Sequence, residues 1–178
     1  LAPFTGTIGL APAAPGRHDI IPPRRVGGNM DIREMGPGTV LWLPVEVPGA
    51  LLSVGDTHAA QGDGEVCGTA VESAMALELT VELEKGAAPA FPRYEAPAGF
   101  NRGGAWGTTD VTTGIGPDLM EGARAAVRQM VDLIATREGM APVEAYMLAS
   151  VVGDLRISQI VDAPNWTVAF HMPRGIFN

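Results

Sequence analysis

The stretch DLMEGARAAVRQMVDLIATREG, residues 118–139, decides what kind of chain this is. Asp118 can cap a first turn, Glu121 follows three residues later in the capping-box pattern, and Gly139 supplies the residue that most easily ends a helix. Between them Leu119, Ala123, Ala126, Met130, Leu133 and Ile134 recur at three- and four-residue steps, while Arg124, Arg128 and Asp132 fall elsewhere. One amphipathic helix is predicted here. Towards the C-terminus, Pro142 suits a first helical turn, so a second helix runs to about Val152 before Gly153. Residues 156–161 and 166–172 then have strand composition, separated by the turn signal Asp162-Ala163-Pro164-Asn165.

Towards the N-terminus the periodicity changes from helical to alternating. Residues 4–10, 40–43 and 108–115 read as strands, and Pro and Gly punctuate the first 48 positions too densely for helices. Residues 75–84 alternate: Met75, Leu77, Leu79, Val81 and Leu83 on one face, Glu78, Thr80, Glu82 and Glu84 on the other. That pattern predicts a half-solvated strand of an antiparallel sheet. Residues 86–107 are rich in Pro, Ala and Gly without a period, which predicts an irregular loop and a candidate lid. The expectation is a single α+β unit over residues 1–178, β-rich with sandwich- or barrel-like sheets and two helices in the C-terminal third.

Composition excludes several classes of function. The formal net charge is -8, with only 12 Lys and Arg, so nothing supplies the basic surface that nucleic acid needs. The longest apolar stretches, residues 39–45 and 147–152, fall far short of the roughly 20 residues that span a bilayer. Cys67 is the single cysteine, which rules out an internal disulfide framework and makes a reducing cytoplasm the expected compartment.

Chemistry concentrates in GDTHAAQGDGEVCGTAVE, residues 55–72, which holds four carboxylates, an imidazole, an amide and a thiol among glycines. It follows the apolar residues 50–54, read as a buried strand that ends in a polar loop at the mouth of a rigid sheet. Asp56 and His58, two apart in an extended backbone, leave the same face and can grip one metal ion. The alternative is an Asp that merely orients the His or caps a turn. Gly62, Gly64 and Gly68 are no phosphate cradle, because Asp63 and Glu65 would repel the anion; a tight hairpin is the competing reading. Upstream, Arg24, Arg25, Gly27, Gly28, Asn29 and Asp31 form a second polar cluster, with Asn29 and Asp31 on one face if extended. Cys67 lacks the partners of a Glu-Lys-Cys triad and reads as a small buried residue. His171, in an apolar strand, reads as structural.

The run 55–72 closely resembles the signature segment of the acetamidase/formamidase family, which includes γ-lactam-opening enzymes. Residues 3–9 (Pro3-Phe4-x-Gly6-Thr7-Ile8-Gly9), 22–31, 146–148 and 153–158 resemble it as well, so the likeness covers the chain from end to end. It implies hydrolysis of a short linear amide or small lactam to a carboxylic acid and ammonia or an amine. It also implies a metal-containing site along the polar run. Candidate metal ligands are Asp56, His58 and Asp31, with zinc suited to the mixed set and calcium or magnesium to its oxygen-rich part. Glu72 or Glu65 would carry the proton, and Asp63 is a further catalytic candidate in the same run. Asn29 or backbone N–H groups near residues 62–64 would stabilise an oxyanion. Chains of this family are longer, and the part that normally precedes Leu1 is not in this one. The expected partners besides the small amide are therefore a separate N-terminal chain, a homo-oligomer, or both. A non-catalytic or incomplete subunit is the alternative reading.

Overall fold

Strand Trp166–Pro173 explains the layering, because its successive side chains enter two different cores. Ala169 joins Phe4, Met30, Ile32, Tyr94 and Val111 in one; Phe170 and Met172 join Ala126, Met130, Ile134, Ala145 and Ala149 in the other. The computed structural model describes residues 1–86, 88–99 and 106–177. In chain order the elements are β1 (Phe4–Gly9), β2 (Gly27–Asn29), β3 (Val40–Trp42), β4 (Ser53–Ala60), β5 (Val71–Glu72), β6 (Arg93–Ala96) and β7 (Thr109–Gly116). They continue with α1 (Leu119–Glu138), α2 (Pro142–Val152), β8 (Asp154–Gln159), β9 (Trp166–Pro173) and a closing 3-10 turn at Arg174–Phe177.

One sheet has the order β2-β1-β4-β5 and the other β3-β6-β7-β9-β8, with antiparallel neighbours throughout. The first core lies between the sheets, and the second between the larger sheet and the helices. This is the expected α+β, sheet-rich class, with both helices in the C-terminal third. Both helices also start and stop where their local signals lie. The Asp118 side chain accepts a hydrogen bond from the Glu121 N–H at 2.9 Å, a cap that contributes about 1 kcal/mol, and Gly139 ends α1 at φ 66°. Along α1, Ala126, Met130 and Ile134 are buried as the periodicity requires. Helix α2 buries Ala145 and Ala149 but leaves Val143, Tyr146, Met147 and Val151 exposed, so it is apolar on both faces.

Behind β9 a polar layer is sealed into the first core. His171 is fully buried, edge-on to the Tyr94 ring at 6.4 Å, and Tyr94 donates to Glu34 Oε2 at 3.3 Å. Burial, with the Arg156 and Arg33 charges second, holds the His171 imidazole down at about 3, so it is neutral and structural as the sequence suggested.

Three sequence expectations need correction. Residues 75–84 form no strand; Leu77, Leu79, Val81 and Leu83 are exposed, because alternation makes a face fit for a sheet but supplies no neighbour to satisfy its backbone. Residues 50–54 are not a buried strand. Gly49, Ala50 and Leu51 all have positive φ, so the extended backbone begins only at Ser53 and carries the polar residues through Ala60. The expected loop 86–107 contains β6, whose Tyr94 and Ala96 enter the core on a two-residue period too short to stand out. The rest of the candidate lid includes residues 87 and 100–105, which lie outside the described residues. Among the described residues no helix is long and apolar enough to cross a membrane.

Candidate active site

The register of the smaller sheet brings the first groups together. His58 on β4 pairs with Phe4 of β1 on one side and with Glu72 of β5 on the other, so the imidazole and the Glu72 carboxylate are cross-strand neighbours. Asp56 sits two residues away on β4, where its left-handed backbone brings the carboxylate beside the ring. His58 Nε2 lies 3.2 Å from Asp56 Oδ1 and 3.2 Å from Glu72 Oε2, aligned for a hydrogen bond with neither. The other ring nitrogen, Nδ1, is 2.9 Å from Gln61 Oε1, and Gln61 Nε2 donates to the Asp31 carbonyl at 2.7 Å. That second bond fixes the amide with its oxygen towards the ring. Nδ1 therefore donates, and Nε2 is the ring atom turned towards the carboxylates.

Three further carboxylates close the cluster. The Asp31 N–H donates to the Gly6 carbonyl at 3.2 Å, which aims its side chain at β1 and β4. The Asp31 carboxyl is almost completely buried, and neither oxygen receives a hydrogen bond from an N–H or hydroxyl group. Glu65 comes from the β4–β5 hairpin. Gly64 N–H donates to the Ser158 carbonyl and Ile160 N–H donates back to the Gly64 carbonyl, which stitches this hairpin to the end of β8. Just beyond β8, Asp162 enters the cluster from the β8–β9 turn and receives a hydrogen bond from Asn29 Nδ2 at 3.2 Å. Asn29 Oδ1 in turn accepts from Thr7 Oγ1.

Crowded acids out of water resist ionisation. Burial, and after it the neighbouring carboxyls of Asp162, Glu65 and Asp56, pushes the Asp31 carboxyl up to about 10. Glu65 is raised by burial and then by Asp162, and Asp162 by burial and then by the Asp56 charge. Glu72 goes the other way. Its partial burial pushes upward, but hydrogen bonds from the Ala70 N–H and Thr69 Oγ1 and the nearby His58 hold it below its ordinary value.

Backbone strain gathers at the same place. Among the described residues, five non-glycine residues have positive φ, and three of them, Asp31 (47°), Asp56 (51°) and Glu65 (44°), carry these carboxylates. Gly6 on β1 makes the floor. A Cβ there would stand 2.5 Å from Asp31 Oδ1, 2.9 Å from the Asp56 carbonyl oxygen and 3.0 Å from His58 Cε1.

The structure thus brings together Asp31, Asp56, His58, Glu65 and Glu72, with Asn29 at the edge through Asp162. It places Asp63 apart: that carboxylate pairs with Arg33 at 3.0 Å and lines a separate cleft with Asp154 and Arg156. The Gly64 N–H is engaged with Ser158, so it is not a free oxyanion donor. Arg25 pairs with Glu46, and Arg24 donates to the Pro22 carbonyl, leaving both outside the cluster. Cys67, read as buried, is exposed, because the hairpin that buries Glu65 turns the following residues out to solvent. Asp162 and the orienting role of Gln61 were missed. The first reads locally as a turn residue, and the second needs three-dimensional neighbours that no spacing reveals.

Chemically, the donors fit a divalent cation. Asp31, Asp56 and His58 place one ligand atom each within 4.8 Å of one another; so do His58, Glu65 and Glu72, and so do Asp31, Glu65 and Asp162. The Asp31 oxygens and His58 Nε2 are buried without hydrogen-bond partners, and a cation bound between them would satisfy all three.

Comparison with known proteins places the chain in a family. The acetamidase from Mycolicibacterium smegmatis is 47% identical over 68 residues, 37% of this chain and 16% of that protein. The crystal structure of an acetamidase from Yersinia enterocolitica superposes with a TM-score of 0.88 at 34% identity, covering 99% of this chain and 50% of that one. An acetamidase from Bacillus halodurans gives 0.85 at 35% identity, covering 99% and 56% respectively. This chain therefore spans about half the length of the solved relatives it matches. The family model described as the Acetamidase/Formamidase family matches residues 5–178, nearly the whole sequence, and the chain belongs to that family.

Proposed function

We propose that this chain supplies the cation-binding wall of an amide hydrolase acting on the carbon-nitrogen bond of a short linear amide or small lactam. The observation that carries the reading is the triad Asp31, Asp56 and His58, whose ligand atoms lie within 4.8 Å of one another above Gly6, with the Asp31 oxygens and His58 Nε2 buried and without hydrogen-bond partners. Zinc suits the nitrogen-containing triad, and the oxygen-rich remainder also accepts calcium or magnesium. Bound there, the cation would supply positive charge that polarises an amide carbonyl and eases the ionisation of water.

The chain's own groups divide the remaining work. Gln61 holds the His58 ring in one orientation, and Asn29 and Thr7 position the Asp162 side of the cluster. Glu72 is the general base: Ala70 and Thr69 anchor its Oε1, Oε2 points at the cluster, and the lowered pKa keeps it ionised at neutral pH. It takes a proton from the attacking water as oxygen bonds to the carbonyl carbon, then returns it to the nitrogen as the C–N bond breaks. With formamide or acetamide as substrate, Glu72→Gln lowers kcat by about 10²- to 10⁴-fold at unchanged zinc stoichiometry. Removal of metal with a chelator stops ammonia release, and added zinc restores it. Full ammonia release from chelated, metal-free protein overturns the reading.

A second polypeptide docked on this chain is favoured by one observation, the apolar outer face of α2. Val143, Tyr146, Met147 and Val151 together make an exposed patch of the kind that marks an interface. The partner is either a separate chain carrying the rest of the relatives' length or a second copy. Light scattering coupled to gel filtration is expected to give a mass above that of one chain; a monodisperse monomer with full activity rejects this part of the proposal.

A further inference from the structure

We propose that residues 75–84 dock a β-strand of a second polypeptide, one in which aliphatic residues alternate with lysine or arginine. The proposal is independent of the cation reading above. The segment is a strap pinned at both ends. Ser73 N–H donates to the Thr57 carbonyl at 2.9 Å and Thr57 Oγ1 donates back to the Ser73 carbonyl; at the far end Trp42 Nε1 donates to Glu84 Oε1 at 3.0 Å. Between these anchors the chain runs without turn or bend from β5, the edge of the smaller sheet, to β3, the edge of the larger one. Among the described residues, no hydrogen bond joins the backbone of residues 75–83 to any other group. A straight, exposed backbone in that state offers a ladder of donors and acceptors to an incoming strand.

Side chains set what the partner must carry. In extended chain, Met75, Leu77, Leu79, Val81 and Leu83 fall on one face and Glu78, Thr80, Glu82 and Glu84 on the other. Leu77 and Leu79 are 44% and 45% exposed, Val81 and Leu83 72% and 69%, and none of the four belongs to either hydrophobic core. A paired strand covers this row only with aliphatic side chains of its own, because residues opposite one another across a ladder share a face. Its remaining side chains then stand opposite the glutamates. Opposite charges stabilise such cross-strand pairs and like charges oppose them, which selects lysine or arginine.

The same charges argue against a second copy of this segment. Every register that brings the two apolar rows together also brings the two acidic rows together, and antiparallel pairing about Thr80 sets Glu78 against Glu82 on both sides. The formal net charge of -8 on each chain adds to the repulsion. A basic, alternating strand meets neither obstacle. Main-chain bonds would give the pairing its affinity, and the alternating side chains its selectivity. The strap starts directly after β5, whose Glu72 faces the candidate active site, so the docked strand begins next to that site.

The test titrates the chain, at physiological salt, with a fluorescently labelled peptide of the strap's length in which valine alternates with lysine. Its controls are a peptide alternating valine with glutamate and a scrambled peptide with all its lysines in one block. The valine-lysine peptide is expected to bind at least about 10-fold tighter than either control and to slow hydrogen exchange at amides within residues 75–84. Leu79→Pro and Thr80→Pro remove adjacent N–H groups that point to opposite edges. Both variants keep the parent's circular dichroism, and the one whose N–H faces the partner binds about 10-fold more weakly. The double variant Glu78→Lys, Glu82→Lys reverses the preference towards the valine-glutamate peptide. Equal affinity for the scrambled peptide, protection only outside residues 75–84, or parental affinity in both proline variants overturns the proposal. Self-association that protects residues 75–84 without peptide also overturns it, by assigning the strap to a second copy.

Discussion

Gly6→Ala lowers zinc affinity at least about 10-fold and amide hydrolysis about 10²-fold while leaving the protein folded. The new methyl carbon would sit 2.5 Å from Asp31 Oδ1 and 2.9 Å from the Asp56 carbonyl oxygen, both closer than real Cβ contacts come. The Asp31 carboxylate, at the end of a short side chain, gives way first, and it is the residue shared by two of the three triads. Moving one ligand by about 1 Å is enough for losses of that size, since supporting residues around metal sites change affinity about 10- to 100-fold. Backbone at Asp56 gives way less readily, so β4 shifts as well, at a cost of about 1–3 kcal/mol in stability. Gly55→Ala is the control: it lies in the same sheet with open space around the new carbon, and both zinc affinity and rate are expected to match the parent. Calorimetry with zinc and an ammonia-release assay read the result. A folded Gly6→Ala protein with parental affinity and rate would remove Gly6 from the floor of the site.

What the sequence disclosed follows the range of the interactions involved. Helices α1 and α2 were legible to the residue because their signals are local: a cap at Asp118, Gly139 in the left-handed conformation, and Pro142 in a first turn. Asp56 and His58 were legible as neighbours two residues apart on one strand, although Asp56 reaches the imidazole from a left-handed backbone at φ 51° and not from the plain extended step that the spacing suggests. Asp162 was not. It meets Asn29 across 133 residues of chain, and its own neighbourhood satisfies an ordinary turn, with the Asn165 N–H bonded to the Asp162 carbonyl. Residues 75–84 failed in the opposite sense. Their alternation is as clean as any in the chain, yet a strand exists only where a neighbour's backbone can pair with it. The apolar side chains left exposed there, like those of α2, belong to surfaces whose meaning is not local either. Glu65 was picked out as a carboxylate, but its burial comes from a hairpin clamped to β8, a contact that no periodicity announces.

Gly114→Ala destabilises the protein by about 3 kcal/mol, which for a chain of this size lowers the melting temperature by roughly 6–12 °C. Gly114 lies mid-way along β7, paired with Val168 of β9, where α1 crosses the sheet. A Cβ built there falls 2.0 Å from the Gly122 carbonyl oxygen, 2.7 Å from its carbon and 3.0 Å from Ala125 Cβ. The obstacles are backbone, so no side chain can swing aside, and α1 must lift from the sheet by about 1 Å to restore an ordinary contact. Such a lift opens the interface that buries Ala126, Met130 and Ile134 against Phe170 and Met172. Its cost is a large part of the 5–15 kcal/mol that holds a typical domain together. Gly122 reinforces the argument, since its own Cβ would press on Val168 Cγ2 at 3.2 Å; two glycines facing each other set the helix-to-sheet distance. Gly116→Ala, two residues along the same strand with nothing within 4 Å of the new carbon, is expected to melt with the parent. If Gly114→Ala melts within about a degree of Gly116→Ala, the close approach does not limit packing. Because β9 also anchors the turn that carries Asp162, the same substitution loosens the cluster from behind, and cation affinity should fall together with stability.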